Sequence, residues 1–495
     1  MQEFHLEGKY ADELLTNSNY ATKSQNQTEN RMQIEYKPLF ERFVNEDKSF
    51  KKQYNSFYEA RLKETRPLLV EAVKRKWGKN VDVLQDICQL VSNQDCVIIG
   101  TIYKELSLFK SILNEKASSA FNPQLIGTQF LPKNSLHGPL SQEGDPIVLE
   151  DSTTRILLKC FPDPIVTGVV LAVRGYMDDS GDFMVTSVCY VHDTVEACNS
   201  LFDTSAPKDP YLLCVSGLMI GASLNVRTHL LFEFISSQIG FIEDVKLSSH
   251  IGHVILLGNS SNLLREPFQH IRPDPNILNE ALSCVDNLDV VLSEILPSVP
   301  VTIVPGGTDA TSMLIPQQPL HPSLFPRSLH YSSLECATNP YMASFNGKVF
   351  VMTSGQNILD IVRQVPGSPS TSDLLAATLR WGSLFPTNPN TCPGFPFSSR
   401  DPFIVNEIPD VYVVGNQATF EVDRRIIDGK TVTLITLPSF ATSGTAAMIN
   451  LRTLSVTPIC FDTTEMEEET KEEEEKKVEE EDVIIDEDIA NEDDQ

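Results

Sequence analysis

Three nearly continuous apolar runs in the second half of the chain end in short polar or glycine-rich turns. The runs are YLLCVSG (211–217), HVILLGN (253–259) and VPVTIVPGGTD (299–309), and their composition indicates strands that are covered on both faces. The ends of such strands are where a hydrolase would carry metal ligands. A two-metal centre needs several carboxylate, imidazole or amide ligands. The third turn supplies a single carboxylate, Asp309, which is too few ligands for that chemistry.

The third turn resembles the place where calcineurin-like metallophosphoesterases carry Gly-Asn-His-Asp, and here it reads Gly-Gly-Thr-Asp (306–309). The same resemblance implies Asp-x-His after the first strand, Gly-Asp after the second and Gly-His-x-His near the end of the domain. The matching positions are Ser216, Leu218, Asn259, Gly307, Thr308, Asp309, Asn416 and Ala418. We therefore predict an inactivated phosphoesterase domain of layered α/β/β/α type, without a catalytic residue, a metal or a cofactor.

Further motifs are similar to those of the B subunits of DNA polymerases alpha, delta and epsilon. They are KSFKKQYNSFYEARLKETRPLLVEAVKRKWG (48–78), LIPQQPLHPSLFP (314–326), TNPY (338–341), TSGQNILDI (353–361) and INLRTLSVTPICF (449–461). PQQPLHP (316–322) and the short N-terminal helical region favour the delta branch. PQQPLHP is also expected to form a stiff, exposed surface.

The resemblance implies a non-catalytic nuclear subunit that bridges two partners. One is the polymerase catalytic subunit, contacted through its cysteine-rich C-terminal module, and the other is a clamp-binding regulatory subunit, so that the sliding clamp is contacted only indirectly. Two alternatives stay open. The chain could be the small subunit of another B-family polymerase (alpha, epsilon or zeta), or an active phosphodiesterase or nuclease with an unusual metal site.

The overall expectation is an α+β multidomain protein. Its parts are a disordered N-terminus (1–35), a helical segment (36–93), an OB-type barrel (94–195), the phosphoesterase-like domain (209–461) and a disordered acidic tail (462–495). Within the helical segment, Pro67 is predicted to open a second helix. The outer face of this helical pair carries basic residues, for which a solvated face is favoured over a DNA contact: Arg61, Lys63, Arg66, Lys74, Arg75 and Lys76.

Alternating strands and helices are predicted after residue 209. The helix over 276–296 should bury one apolar stripe that includes Leu278, Leu282 and Leu288, and hairpins should turn at 346–347 and 428–429. In the barrel, Tyr103, Phe183 and Tyr190 are too scattered for a platform on which bases stack, which favours core packing or protein contacts.

Charge and composition disfavour several functions. The chain of 495 residues has a net charge of −28, of which the tail carries −16, so the remainder is acidic too and DNA contact should be weak or indirect. Its ten cysteines include no C-x-x-C pair, which disfavours a zinc ribbon. His250 and His253 are close in sequence but lack a third ligand, and no apolar run is long enough to span a bilayer.

Overall fold

The computed structural model describes residues 31–461, except for 46–48, 50, 80, 82, 110–137, 199–201, 204–205, 207, 264–274 and 368. Residues 1–30, the acidic tail and Leu278 lie outside the residues whose placement or side chains are described. Residues 31–35, which composition assigned to the disordered N-terminus, lie against the folded body. The Arg31 guanidinium donates to the carbonyls of Ile235 and Ile251 (2.5 and 3.1 Å).

A short strand, a long helix and a barrel form the first half of the chain. The elements are β1 (Tyr36–Pro38), α1 (Asn55–Trp77), β2 (Cys96–Lys104), β3 (Ile147–Glu150), β4 (Arg155–Lys159), β5 (Val170–Met177) and β6 (Phe183–Cys189). Strands β2 to β6 close in the order β2-β3-β4-β6-β5. Closure leaves no free strand edge in this small sheet.

The predicted pair of N-terminal helices is wrong, because α1 continues through Pro67. A proline in a helix removes one hydrogen bond and normally kinks or ends the helix. Pro67 is exposed, so water can solvate the backbone carbonyl that loses its partner. The opposite side of the helix buries Phe57, Leu69 and Val73, and this packing holds the two halves in line.

The second half of the chain contains two larger sheets and the helices that cover them. The remaining strands are β7 (Val195–Ala197), β8 (Tyr211–Val215), β9 (Ile251–Leu257), β10 (Val301–Val304), β11 (Leu334–Cys336), β12 (Tyr341–Phe345), β13 (Lys348–Thr353), β14 (Val411–Gln417), β15 (Glu421–Ile427), β16 (Lys430–Pro438), β17 (Thr445–Asn450) and β18 (Val456–Cys460). The remaining helices are α2 (Val226–Ile235), α3 (Ile242–Ser249), α4 (Pro275–Ile295), α5 (Gln356–Gln364), α6 (Thr371–Trp381) and α7 (Phe440–Ser443).

One sheet has six strands in the order β11-β10-β9-β8-β17-β18, and the other has seven in the order β1-β12-β13-β14-β16-β15-β7. Strands β8 to β11 are parallel, so their carboxyl ends lie at one edge. Strands β13, β14 and β16 are also parallel. The predicted hairpins at 346–347 and 428–429 are confirmed as the β12–β13 and β15–β16 turns.

Successive side chains of the central strands point to opposite faces of their sheets, and this alternation builds three apolar layers. On β8, Leu212 and Cys214 point into the core between the two sheets, whereas Leu213 and Val215 pack against the outer helices α2 and α4. The other face of the seven-stranded sheet packs on α5 and α6, and this third core continues into the barrel. The continuous apolar runs of the sequence therefore reflect strands buried on both faces.

Helix α4 departs from its predicted apolar stripe at one position. Leu288 is buried among the residues that cover the six-stranded sheet, but Leu282 is 60% exposed. Among the described side chains near the start of α4, Ala281 and Cys284 form a small buried cluster with Leu263.

Arg61 joins helix α1, the barrel and the double-sheet domain. It was predicted on the exposed basic face, but only 1% of it is accessible. Its Nε donates to Asp401 Oδ2 (2.6 Å), and its terminal nitrogens donate to the carbonyls of Gly168, Phe385 and Pro386 (2.8–3.3 Å). The prediction failed because Asp401 lies 340 residues further along the chain.

Substitution of Arg61 by Ala should lower the free energy of unfolding by about 3–5 kcal/mol, because it leaves Asp401 buried without its counter-charge. Urea denaturation followed by circular dichroism measures the change. The matched control is Lys63→Ala on the exposed side of the same helix, which should stay within about 0.5 kcal/mol of the original chain. Equal effects of the two substitutions would contradict this role of Arg61.

Candidate functional site

The turns that follow β8, β9 and β10 meet at the carboxyl edge of the six-stranded sheet. The Gly217 N–H donates to the Gly258 carbonyl (2.9 Å), and a Cβ on Gly306 would lie only 2.3 Å from the Asn259 nitrogen. This close approach explains the first glycine of the Pro-Gly-Gly turn, Gly306. The predicted positions Ser216, Asn259 and 306–309 are therefore neighbours in space.

Asp309 is buried, and donors of the protein surround its carboxyl group. The Ser261 N–H and hydroxyl donate to Oδ1 (2.8 and 2.9 Å), and the Gly306 N–H donates to Oδ2 (2.7 Å). Burial raises the pKa of this carboxyl, whereas the hydrogen bonds from Ser261 and Gly306 act in the opposite direction. Asp309 thus closes its own turn and ties it to the turn after β9.

Asn259 and Thr308 also bind the protein itself. The Thr308 N–H donates to Asn259 Oδ1 (3.1 Å), and the Thr308 hydroxyl donates to the Ser261 carbonyl (2.6 Å). Asn259 has a φ of 54°, a left-handed conformation that Asn tolerates better than most residues. The amide oxygen that a metal could use therefore already accepts a backbone hydrogen bond.

Ser216 and Asn416 join the two sheets at this edge. The Ser216 hydroxyl donates to the Leu257 carbonyl (2.9 Å) and accepts from the Asn416 N–H (2.8 Å). Asn416 Nδ2 donates to the Ser354 carbonyl (2.9 Å). A Cβ on Gly415 would lie 2.4 Å from the Ser216 hydroxyl oxygen, so β14 can approach this closely only with glycine at position 415.

Leu218 and Ala418 do not join this cluster, whereas Gly307 does. Leu218 is 2% exposed and belongs to the core beneath α2 and α4, while Ala418 is exposed beyond the end of β14. Gly307 lies in the turn, where a Cβ would meet only Asn259 Oδ1, at 3.6 Å.

A network of buried amides lies beside the cluster, and sequence reasoning did not anticipate it. Gln317 Nε2 donates to the Gly306 and Ser312 carbonyls (both 3.0 Å), and its Oε1 accepts from Asn339 Nδ2 (2.8 Å) and Gln356 Nε2 (2.9 Å). Asn339 Nδ2 also lies 2.8 Å from the Ser354 hydroxyl. These amides come from PQQPLHP, TNPY and TSGQN, the motifs that carry the family resemblance.

The expectation that PQQPLHP is an exposed surface is wrong for its first half. Pro316, Gln317 and Leu320 are buried, and only His321 and Pro322 are exposed. The next glutamine, Gln318, donates through Nε2 to the Phe43 carbonyl (3.1 Å). The amides of this motif therefore bond inside the protein. The repeated Gln and Asn residues in these motifs were the sequence feature from which a buried amide network could have been predicted.

The donor chemistry of the cluster does not fit a pair of metal ions. It offers one carboxylate, Asp309, which already accepts three hydrogen bonds. Across the described parts of 31–461, no group of three or more His, Cys, Asp or Glu side chains is arranged to hold a metal ion. A two-metal site needs several anionic or imidazole ligands, which Ser216, Asn259 and Asn416 cannot replace.

The two close histidines are separated by their environments. His250 caps the end of α3, and His253 is buried on β9, where its Nε2 lies 2.8 Å from the Thr302 hydroxyl. The His253 ring also packs at 5.0 and 5.3 Å from the rings of Tyr36 and Phe345. Burial lowers the pKa of His253 to about 4.

The three aromatic residues considered for base stacking in the barrel differ in exposure. Phe183 and Tyr190 are fully buried, and Tyr103 is 38% exposed. On α1, Lys74, Arg75 and Lys76 are exposed, but each pairs with a nearby carboxylate: Glu71, Asp428 and Asp193, respectively. None of the helices that the structure describes is long and apolar enough to cross a bilayer.

Comparisons with known proteins agree with this architecture. Residues 53–188 match the family model described as the DNA polymerase delta subunit OB-fold domain, which confirms the OB-type barrel. Residues 212–422 match the family model for the B subunit of DNA polymerase alpha/epsilon. Together they define the class of polymerase B subunits.

Sequence comparison with individual relatives identifies the branch of this class. The chain is 32% identical to the DNA polymerase delta small subunit of Oryza sativa subsp. japonica over 442 residues, which cover 88% of this chain and 99% of the relative. It is 33% identical to the small subunit of Arabidopsis thaliana over 447 residues, which cover 88% and 97%. The chain belongs to the family of DNA polymerase delta small subunits.

A solved structure from the characterization of a novel archaeal phosphodiesterase also aligns with this chain. It covers 51% of this chain and 99% of its own length, with 10% identity and a TM-score of 0.24. A score this low establishes neither a shared fold nor a shared activity.

Substitution of Asp309 by Asn should lower the free energy of unfolding by about 2–4 kcal/mol, because at least one of three buried N–H or O–H donors loses its charged acceptor. Thermal and urea denaturation measure the change. Glu294→Gln, at an exposed position on α4, is the control and should change stability by less than about 0.5 kcal/mol. An Asp309→Asn variant as stable as the original chain would show that the carboxylate does not hold the turn.

The buried imidazole of His253 predicts a pH dependence of stability. Between pH 6.5 and about 4 the unfolded chain binds a proton at this residue and the folded chain does not. The free energy of unfolding should therefore fall as pH falls, by at most about 1.4 kcal/mol per pH unit for one proton. The midpoint of urea denaturation, measured at several pH values between 6.5 and 5, tests this. Most carboxylates titrate below this pH range and therefore contribute little to the change.

The control for this pH dependence is a pair of glutamine variants. His253→Gln should flatten the slope between pH 6.5 and 5, whereas His330→Gln, at an exposed position, should leave it unchanged. A slope that is the same in the original chain and in His253→Gln would mean that another group takes up the proton.

Proposed function

We propose that the chain is a non-catalytic scaffold subunit of a DNA polymerase delta, and that its double-sheet domain is a phosphoesterase fold whose metal site is replaced by a hydrogen-bonded polar core. The observation that carries the proposal is the state of Asp309. The one carboxylate at the expected metal position is buried and accepts three hydrogen bonds from the protein. No other carboxylate or imidazole lies at the predicted ligand positions.

The scaffold bridges the polymerase catalytic subunit, at its cysteine-rich C-terminal module, and a clamp-binding regulatory subunit. A bridge has to keep its two docking faces at a fixed separation. The shared core between barrel and sheet, which includes Phe183, Leu375 and Tyr412, supports this role. So does the buried Arg61–Asp401 pair, because both features resist hinge motion between the two domains.

DNA is contacted weakly or through the partners, since the folded body is acidic and Lys74, Arg75 and Lys76 on α1 already pair with carboxylates. The sliding clamp is reached only through the clamp-binding subunit. A role in replication and repair synthesis implies that the chain works in the nucleus. The relatives named as delta small subunits favour this branch over alpha, epsilon or zeta.

Purified full-length chain should show no metal-dependent hydrolysis of bis-p-nitrophenyl phosphate with manganese, zinc or iron. Co-expression with the catalytic and clamp-binding subunits of a polymerase delta should yield a ternary complex that survives gel filtration. Stable interfaces of this kind bury ~1,600 Å² or more. Metal content and turnover are measured beside the Asp309→Ala variant.

The two parts of the proposal can fail separately. Manganese-dependent turnover that is abolished by Asp309→Ala would support the alternative that the chain is an active phosphodiesterase. A chain that elutes as a lone monomer when both partner subunits are present would refute the bridging role, whatever its activity.

A further inference from the structure

A cleft of about 720 Å³ lies between helix α1 and the outer wall of the barrel. The helix contributes Tyr58 and Leu62, and the barrel contributes Ile102 and Tyr103 on β2 and Glu150 at the end of β3. This volume is in the range of pockets that hold small molecules or single side chains of a partner. Neither Arg61 nor any residue of the cluster around Asp309 lines it.

Two tyrosines provide the aromatic surface of the cleft. Tyr58 is half-buried on α1, and Tyr103 is 38% exposed on β2. Tyr58, Tyr103 and Glu150 line the same cleft. Burial raises the pKa of the Tyr58 hydroxyl, whereas the charge of Arg61 lowers it. Tyrosine faces attract cations that come within about 6 Å of the ring centre.

The charges of the cleft are mainly negative and only partly neutralised. Glu59, Asp86, Glu150 and Asp151 line it, against Lys63 and Arg66. Arg66 is already bound to backbone, because one of its terminal nitrogens donates to the Leu84 and Gln85 carbonyls (2.8 and 2.7 Å).

The carboxylates differ in how much of their bonding capacity is used. Asp151 accepts from the Ile87, Thr153 and Thr154 N–H groups (2.6–2.8 Å). Glu150, by contrast, meets Arg155 only at 4.0 Å, and the Arg155 side chain is 72% exposed. Glu59 accepts one bond, from Asn55 Nδ2 (2.8 Å). Glu150 and Glu59 are therefore able to receive a positive group from outside.

We propose that this cleft binds a lysine- or arginine-bearing segment of a partner polypeptide, with the cationic group against Tyr58 and Tyr103 and beside Glu150, and an aliphatic neighbour against Leu62. The proposal rests on the scaffold function insofar as the segment belongs to a partner subunit. Nucleic acid is the wrong occupant, because its phosphates would face these carboxylates. A bare metal ion is also the wrong occupant, because the carboxylates are not grouped at ligand distance in the part of the chain that the structure describes.

The test uses the full chain and a fluorescein-labelled Gly-Leu-Arg-Leu-Gly peptide, with the same peptide carrying citrulline in place of arginine. Citrulline keeps the shape of arginine and removes its charge. Fluorescence anisotropy should show that the arginine peptide binds about two- to fivefold more tightly, the range expected for one exposed ion pair or cation–π contact. The difference should shrink as salt is raised.

Matched variants locate the binding. Glu150→Gln and Tyr103→Ala should each remove most of the preference for arginine. Glu143→Gln, at an exposed carboxylate outside the cleft, and Tyr176→Ala, at a barrel tyrosine that is also 38% exposed, should preserve it. Thermal denaturation of the four variants confirms that each is folded.

Several results would overturn the proposal. They are equal affinity for the two peptides, no binding of either, or unchanged preference in Glu150→Gln and Tyr103→Ala. Binding of a fluorescein-labelled oligothymidylate that Tyr103→Ala abolishes would assign the cleft to nucleic acid instead. Because the peptides are tested on the isolated chain, their failure leaves the ternary complex intact, and failure of the complex leaves the peptide result intact.

Discussion

Two face-to-face sheets bury the turns at the carboxyl ends of their strands, and polar side chains from both sheets are hydrogen-bonded there within the protein. An unpaired buried polar group costs ~1–3 kcal/mol, so these hydrogen bonds favour the packing of the two sheets at this edge. Asp309 accepts from Ser261 and Gly306, and Asn259 accepts from the Thr308 N–H. Ser216 accepts from the Asn416 N–H and so joins the two sheets. The close approach of the turns at this edge depends on these hydrogen bonds.

The same constraint bears on the proposed loss of a metal site. Metal ions neutralise a concentration of carboxylates and imidazoles, and without metal those groups would repel or remain unpaired. In this chain the region holds one carboxylate, Asp309, and the hydroxyls and amides of Ser216, Asn259 and Asn416. Gln317 and Asn339 extend the network to the Pro-Gln-Gln segment, so the motifs that identify the family also hold its polar core together.

Rigidity is the property that these features share. The amide network joins the two sheets, while Arg61 and the continuous apolar core join the barrel to the second sheet. A scaffold subunit needs its surfaces at fixed positions more than it needs a flexible active site. The cleft beside α1 lies on the barrel side of this rigid body, where a partner segment would meet walls that are already formed.

Local patterns in the chain were enough to predict the central strands, the two hairpins, the OB barrel and the family, because these depend on periodicity, turn residues and contiguous motifs. They did not predict β1, which lies in the segment predicted to be helical. Which polar residues are buried became clear only from the tertiary structure. Arg61 lies on a basic helix and Gln317 in a proline-rich segment, and both were predicted to be exposed. Their partners, Asp401 and Asn339, lie 340 and 22 residues away in the chain. The burial of a polar side chain is set by such distant partners, which local patterns do not encode.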